Sequence, residues 1–270
     1  MNVVESFQPM AWSETQRSGA SALGPILEME RVSLQIPVFT TEMRSLGSTL
    51  FRSVTGGGLR RQRGGAVIDA LSDINIYVEH GERIALIGHN GAGKSTFLRL
   101  ISGIYHPTSG HMKVHAFVYP MIHKSFITSP ELSGLQAVKA HYLMMQGSLR
   151  GFDDFLEDVR GFSGLGDFIN LPVKGYSQGM VARLLFAVLT GISHECLALD
   201  EGIGAGDNSF VEAAQKRLDL FIQAAGTLFL ASHSDELLRR FCTRGLVFDQ
   251  GRIVYDGKLE QALTFYYNKA

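Results

Sequence analysis

The sequence predicts an α/β fold built around a largely parallel sheet. Short apolar runs with the composition of buried strands recur at residues 84–87, 196–199, 227–231 and 246–248. Helical stretches separate them, and parallel strands need such crossover connections. The run at 84–87 passes directly into a glycine-rich segment, GHNGAGKST, which leads into a helical pattern at residues 96–102. At roughly 150 residues per domain, 270 residues allow one to two domains with a sizeable core.

The remaining elements follow in order. Residues 26–39 (ILEMERVSLQIPVF) alternate apolar and polar side chains and predict a strand broken at Pro37. Residues 41–54 set Met43, Leu46, Leu50 and Val54 at helical spacing, and the basic, glycine-rich GGGLRRQRGG follows, so residues 41–65 read as an insertion. Strand character resumes at 67–78, and the turn HGE leads into 84–87. PTSG at 107–110 is a turn. Residues 131–159 are mostly helical in composition and 178–189 predict another helix, so a helical block interrupts the strands.

Composition excludes several function classes. With 25 basic and 26 acidic side chains the net charge is −1, so the basic excess by which proteins usually hold nucleic acid is missing, and no nucleic-acid partner is expected. Cys196 and Cys242 sit in apolar surroundings without paired spacing, which points to buried thiols in a reducing, cytoplasmic compartment. The most apolar windows, 184–191 and 228–231, fall short of the about 18–20 residues of a membrane-spanning helix. Residues 1–25 lack the features of a secretory signal and are expected to form a disordered tail.

Residues 88–96 fit the pattern G-x-x-x-x-G-K-[ST], with Gly88, Gly93, Lys94 and Ser95 in register between a buried strand and a helix. Glycines let the backbone curl so that its N–H groups converge on phosphate oxygens, and the following helix points its positive end at them. Gly88, His89, Asn90, Gly91, Ala92, Gly93, Lys94, Ser95 and Thr96 are therefore the expected phosphate cradle, with Lys94 on the β- and γ-phosphates and Ser95 offering its hydroxyl to Mg²⁺. The bland alternative is a glycine turn at a strand end. An acidic partner for the metal is available in Asp200, at the tip of the strand 196–199, with Glu201 beside it as the base that orients the attacking water. Taken alone, such a pair also fits a helix N-terminal charge or a solvated turn. No Asn-Lys-x-Asp motif occurs, which favours ATP over GTP.

Tyr176-Ser-Gln-Gly-Met180 opens a helix shortly before Asp200, and a serine and a glycine at a helix start suit either a simple N-cap or an anion site. His233 ends the apolar strand of LFLASHS, where a lone histidine is usually a satisfied residue but where strand order would bring it to the phosphate edge.

These elements, in this order, resemble the nucleotide-binding subunit of ATP-binding cassette (ABC) transporters, with YSQGM in place of the signature LSGGQ. The stretches GHNGAGKSTFLRLISGIYHPTSG, YSQGM, DEGIGAGDNSF and GRIVYDG are similar to those of exporters of O-antigen, capsular polysaccharide and teichoic acid. The resemblance implies a P-loop NTPase fold: a RecA-like core, an antiparallel β subdomain and an α-helical subdomain over residues 120–190, within a cassette covering 26–270. It implies a homodimer that sandwiches ATP, so that Ser177, Gln178 and Gly179 of one subunit face the γ-phosphate held by Lys94 of the other. It also implies Asp207 as a carboxylate at the dimer seam, His233 as the switch histidine, and Phe39 as the candidate aromatic that stacks on adenine, although a phenylalanine in a strand equally suits the core.

The implied function is ATP hydrolysis that energises export of a lipid-linked polysaccharide through a separate integral-membrane subunit. The implied place is peripheral, at the cytoplasmic face of the inner membrane. The alternative is a soluble cassette ATPase acting in nucleic-acid maintenance or translation, against which the single phosphate loop and the charge balance count. One departure from the family is that no glutamine occurs from Gly110 to Leu135, where a γ-phosphate sensor is expected; His123, Ser125, Ser129 or a water could substitute, and each of the three residues also suits a surface loop. Basic residues of the insertion, Arg44, Arg52, Arg60, Arg61 and Arg63, suit either an edge facing the membrane subunit, anionic lipid or passing substrate, or a solvated loop. His111 and His115 do not share a face in a strand, so no zinc site is expected.

Overall fold

The structure, a computed structural model, describes residues 24–38, 58–62, 65–121, 129–200 and 208–269. These fall into two compact units. Among the described residues no helix is long and apolar enough to cross a membrane.

The first unit holds two sheets. Strands β1 (Leu27–Val38), β2 (Gly58–Gln62), β3 (Gly65–Val78) and β5 (Ser109–Val114) form an antiparallel sheet in the order β2-β3-β1-β5. The expected break at Pro37 does not occur: Pro37 pairs with Val67 inside β1. Among the described residues the other neighbour, β5, partners β1 only as far as Ser33, so no described strand pairs with Pro37 on that side, the edge setting in which strands tolerate proline.

The second sheet has the order β10-β9-β4-β8-β7-β6, from β4 (Arg83–Ile87), β6 (Val118–Met121), β7 (Cys196–Asp200), β8 (Thr227–Ala231), β9 (Arg244–Asp249) and β10 (Arg252–Lys258). All its pairings are parallel except the β9–β10 hairpin. Its central strands are buried on both faces, which is why they read as unbroken apolar runs rather than as alternation. Helix α1 (Lys94–Ile101) covers this sheet through Phe97, which is fully buried and meets the rings of Phe229 and Phe248 at centroid distances of 6.1 and 5.3 Å. The short helix α6 (Asp235–Phe241) and the C-terminal helix α7 (Leu259–Lys269) complete the unit.

The second unit is helical, with α2 (Gly134–Gln146), α3 (Phe152–Ser163), α4 (Gln178–Thr190) and α5 (Asn208–Ala224). The helical stretch expected over 131–159 is thus two helices. Gly147 and Gly151 both adopt left-handed backbone, with φ of 68° and 80°, and end one helix and start the next. The start of α2 is set by a capping box between Ser133 and Gln136.

A buried cation fastens this unit. Arg217 of α5 is 1% exposed; its guanidinium donates two parallel bonds to Asp158 of α3 at 2.8 and 2.5 Å and one from Nε to Thr190 Oγ1 of α4 at 2.7 Å. The carbonyl of Ala187 accepts a further bond and the ring of Phe162 lies 4.3 Å from the guanidinium carbon. Desolvation holds two histidines of the same unit neutral: His141 is lowered to about 4 and His194 to about 3, the latter pushed further by His141.

Arg217→Met leaves the Asp158 carboxylate without its fork and is expected to destabilise the protein by about 3 kcal/mol, the low end for a broken buried pair because Asp158 keeps some solvent. Urea unfolding reads this directly; an unchanged midpoint removes the clamp from the account. A second expectation concerns acid. The folded state binds protons at His141 and His194 less readily than the unfolded chain. Their contribution is therefore present above about pH 6.5 and is lost as pH falls towards about 4 and about 3. His141→Gln should flatten the stability–pH curve between pH 6.5 and 4, and a curve identical to the wild type contradicts the assignment.

Candidate functional site

The glycine-rich segment starts where β4 ends and closes onto α1. Three neighbours fix its path. Gly88, at φ +151°, lies so near β9 that a Cβ there would sit 2.5 Å from the carbonyl oxygen of Phe248. Gly93 caps α1 at φ +114°, and a Cβ on it would meet Leu71 of β3 and the Cα of Gly251 at 3.2 and 3.3 Å. Gly251, in the β9–β10 turn, donates its N–H to the carbonyl of Ala92 and accepts at its own carbonyl from the N–H of Ser72. The loop is thereby wedged between strand and hairpin.

Lys94 is buried by this closure, 9% exposed, and its Nζ donates to the carbonyls of Gly88 and His89 at 2.5 and 3.0 Å. Ser95 and Thr96 follow in the first turn of α1. Parallel pairing sets Asp200, at the end of β7, beside Ala231, at the end of β8, and β8 lies next to β4. The carboxyl-terminal ends of β4, β7 and β8 thus converge, the position where α/β sheets form sites. Lys94, Ser95, Thr96, Asp200 and His233 line one open cleft of about 720 Å³ together with Asn90, Gly91 and Gly93. His233 Nε2 lies 2.9 Å from Asn90 Oδ1, so the histidine rests on the loop itself. His89 points the other way, with Nε2 3.5 Å from Asp249. The Asp249 carboxyl is held below its ordinary range first by a hydrogen bond from Lys269, with His89 adding to it.

The donor set suits a magnesium-bound triphosphate. Loop residues Asn90, Gly91 and Gly93, the lysine Lys94, and a hydroxyl and a carboxylate, both hard oxygen ligands, line the same space. Ser177 and Gln178 belong to the helical unit, both exposed. Ser177 Oγ accepts the N–H of Met180 at 3.2 Å and so caps α4. Phe39, Glu201 and Asp207 lie outside the described residues, as do His123 and Ser125; Ser129 Oγ accepts from the N–H of Glu131.

Sequence reasoning missed the Asn90–His233 contact and the support from Gly251. It also missed the far end of the cleft, lined by Ile36, Ile68, Ala70, Arg99 and Tyr105. The turn Asp249-Gln-Gly-Arg252 carried a signal for Gly251, because a glycine after a strand end marks left-handed backbone.

Residues 71–204 match the family model of the ABC transporter. The O-antigen export system ATP-binding protein RfbE of Yersinia enterocolitica is 35% identical over 235 residues, 87% of this chain and 98% of that protein. The teichoic acids export ATP-binding protein TagH of Bacillus cereus is 32% identical over 77% of this chain, which spans 38% of that longer protein. Among solved structures, an ATP-binding subunit of an ABC transporter superposes with a TM-score of 0.63 at 19% identity, covering 90% of this chain and 98% of that one. A dimeric bacterial ABC transporter cassette gives 0.60 at 19% identity, covering 86% and 98%. The α/β fold expected from the sequence is the one these structures share.

Gly88→Ala places a methyl group against a strand carbonyl that has no room to retreat, in a backbone conformation that side chains avoid. Loss of ATP binding, together with a stability loss of about 1–3 kcal/mol, is the expected outcome in calorimetry and thermal denaturation. Retention of both would mean that the loop does not need this close approach.

Proposed function

Given that this chain belongs to the ABC transporter family of ATP-binding proteins, we propose that it is the subunit whose ATP hydrolysis energises export of a lipid-linked polysaccharide of the O-antigen type. The work passes through a separate integral-membrane subunit, with this chain peripheral on the cytoplasmic face of the inner membrane. The observation that carries the reading is the convergence of Lys94, Ser95, Asp200 and His233 on one cleft, in a chain that aligns with nearly the whole length of an O-antigen export ATPase subunit. The nucleic-acid alternative has no comparable support.

In this reading the loop N–H groups and Lys94 receive the β- and γ-phosphates of ATP. Lys94 exchanges the carbonyls of Gly88 and His89 for phosphate oxygens, so its charge is desolvated and directed before substrate arrives. Ser95 and Asp200 hold Mg²⁺, which when bound draws charge from the phosphate oxygens. Glu201 orients and polarises the attacking water, and His233 leaves Asn90 to donate to the γ-phosphate. Ser177 and Gly179 of a second copy close the site from the opposite side, and Asp207 lies at the seam. A homodimer of this kind accords with the dimeric cassette of the same fold.

Turnover of purified protein tests this. Wild type is expected to hydrolyse ATP, Glu201→Gln to lose about 10²–10⁴-fold in kcat while accumulating as an ATP-bound dimer on size-exclusion chromatography, and Lys94→Ala to lose binding. Equal rates for wild type and Glu201→Gln would remove the carboxylate from its role. A wild type without turnover, alone and with its membrane subunit, would end the reading.

A further inference from the structure

Helix α7 makes two polar ties at its far end that the phosphate chemistry does not use. Its near half is seated on the core: Leu259, Ala262 and Leu263 are buried, and the helix packs on β9, β10 and β4. The seat is close, since a Cβ added to Gly245 of β9 would lie 2.5 Å from that of Ala262. The far turn is therefore carried on a rigid base. Tyr267 and Lys269, two residues apart, project about 200° from each other around the helix axis, so they reach different sides.

On one side the Tyr267 hydroxyl donates to Asp235 Oδ1 at 3.0 Å. Asp235 opens α6 two residues after His233, and Ser234 between them caps that helix by accepting the N–H of Leu237. On the other side Lys269 donates to Asp249 Oδ2 at 2.8 Å, and Asp249 Oδ1 lies 3.5 Å from His89 Nε2. The second ring nitrogen of His89, Nδ1, donates to the carbonyl of Asn90 at 2.8 Å, while the His89 carbonyl accepts from Lys94. One imidazole thus joins the Lys269–Asp249 pair to the backbone that holds Lys94 and carries Asn90.

Strand order directs both ties to one site. β9 and β8 flank β4, whose end becomes the phosphate loop. Asp249 ends β9 and Asp235 follows β8, so α7 bridges the strands on either side of the loop. In the cleft the loop and the His233 segment meet directly through Asn90 and His233. That inner contact is the one His233 gives up when it turns to the γ-phosphate, whereas the outer ties use none of the atoms assigned to phosphate.

We propose that Tyr267 and Lys269 are positioning residues for ATP hydrolysis: Tyr267 holds the His233 segment through Asp235, and Lys269 holds the phosphate loop through Asp249 and His89. This rests on the ATPase reading given above. Exposed polar ties of this kind add little to global stability, so their convergence on the two sides of one site is accounted for by what they hold in register.

Steady-state ATP hydrolysis by the full chain with Mg²⁺ separates the two ties. Lys269→Met is expected to raise KM for ATP about threefold to fivefold with kcat within about twofold, because its tie acts on the loop that receives phosphate. Tyr267→Phe, which removes only the hydroxyl, is expected to lower kcat about threefold to fivefold with KM within about twofold, because its tie acts on the histidine used after binding. Lys269→Arg should restore the wild-type KM. Asp249→Ala should raise KM at least as much as Lys269→Met, and adding Lys269→Met to it should change nothing further, as for two partners in one tie. Thermal denaturation midpoints should stay with the wild type in every variant. Kinetics unchanged in both Lys269→Met and Tyr267→Phe overturn the proposal. A fall in midpoint that accompanies equal losses in all variants also overturns it, by making α7 a structural element only. A further rise in KM when Lys269→Met is added to Asp249→Ala does the same. A wild type without turnover brings down the ATPase reading first, whereas a wild type that hydrolyses ATP no better than both variants removes these two residues alone.

Discussion

The site depends on one closure: the backbone of residues 88–94 folds tightly enough around the Lys94 ammonium to bury it against its own carbonyls. Burying a charge is expensive unless it is hydrogen-bonded, and here the loop itself supplies the acceptors. That arrangement requires bare backbone where the loop meets the strands, which is why Gly88 lies against Phe248 and Gly93 against Leu71 and Gly251. A loop held this way is ready for a triphosphate, because the lysine only has to trade one set of oxygens for another. Little reorganisation is left to oppose binding.

The second constraint is strand order. Residues 94, 200 and 233 are far apart in the chain, and it is the parallel pairing of β4, β8 and β7 that brings their strand ends to one edge. The antiparallel sheet contributes differently. Its Ile36–Ile68 pair gives the cleft an apolar boundary rather than a reactive group. One sheet therefore supplies chemistry and the other supplies shape.

The sequence was readable where a single physical pressure acts. Strands β4, β7, β8 and β9 are buried on both faces, so their apolar runs leave no second interpretation. The phosphate loop was readable because its glycines, lysine and serine answer one geometric demand. Reading failed where tertiary context overrules local preference. Pro37 stays in a strand, paired with Val67, at a point where among the described residues its outer neighbour has already ended. The helical stretch over 131–159 breaks at Gly147 and Gly151, glycines whose left-handed backbone composition alone does not reveal. Arg217, a charged residue in one of the helical stretches between strands, is a buried clamp whose partners lie 27 and 59 residues away. The Asn90–His233 contact spans 143 residues and joins two exposed polar side chains, so nothing local announces it.

The opening of α4 shows why two readings of one motif need not compete. Ser177 accepts the N–H of Met180, which is the ordinary work of a helix cap. A hydroxyl has one donor as well as two acceptor sites, so capping spends an acceptor and keeps the O–H for an anion. Gly179 argues further. It stands in the first turn of α4, and its own fold has no steric need of it: a Cβ there would meet, among the described residues, nothing nearer than Ser177 Oγ at 3.9 Å. In the reading proposed above, the bare backbone at that point leaves room for something that approaches from outside the helical unit. A phosphate carried by a second copy of the chain is such an object, and it would be received by the free N–H groups and the positive end of α4.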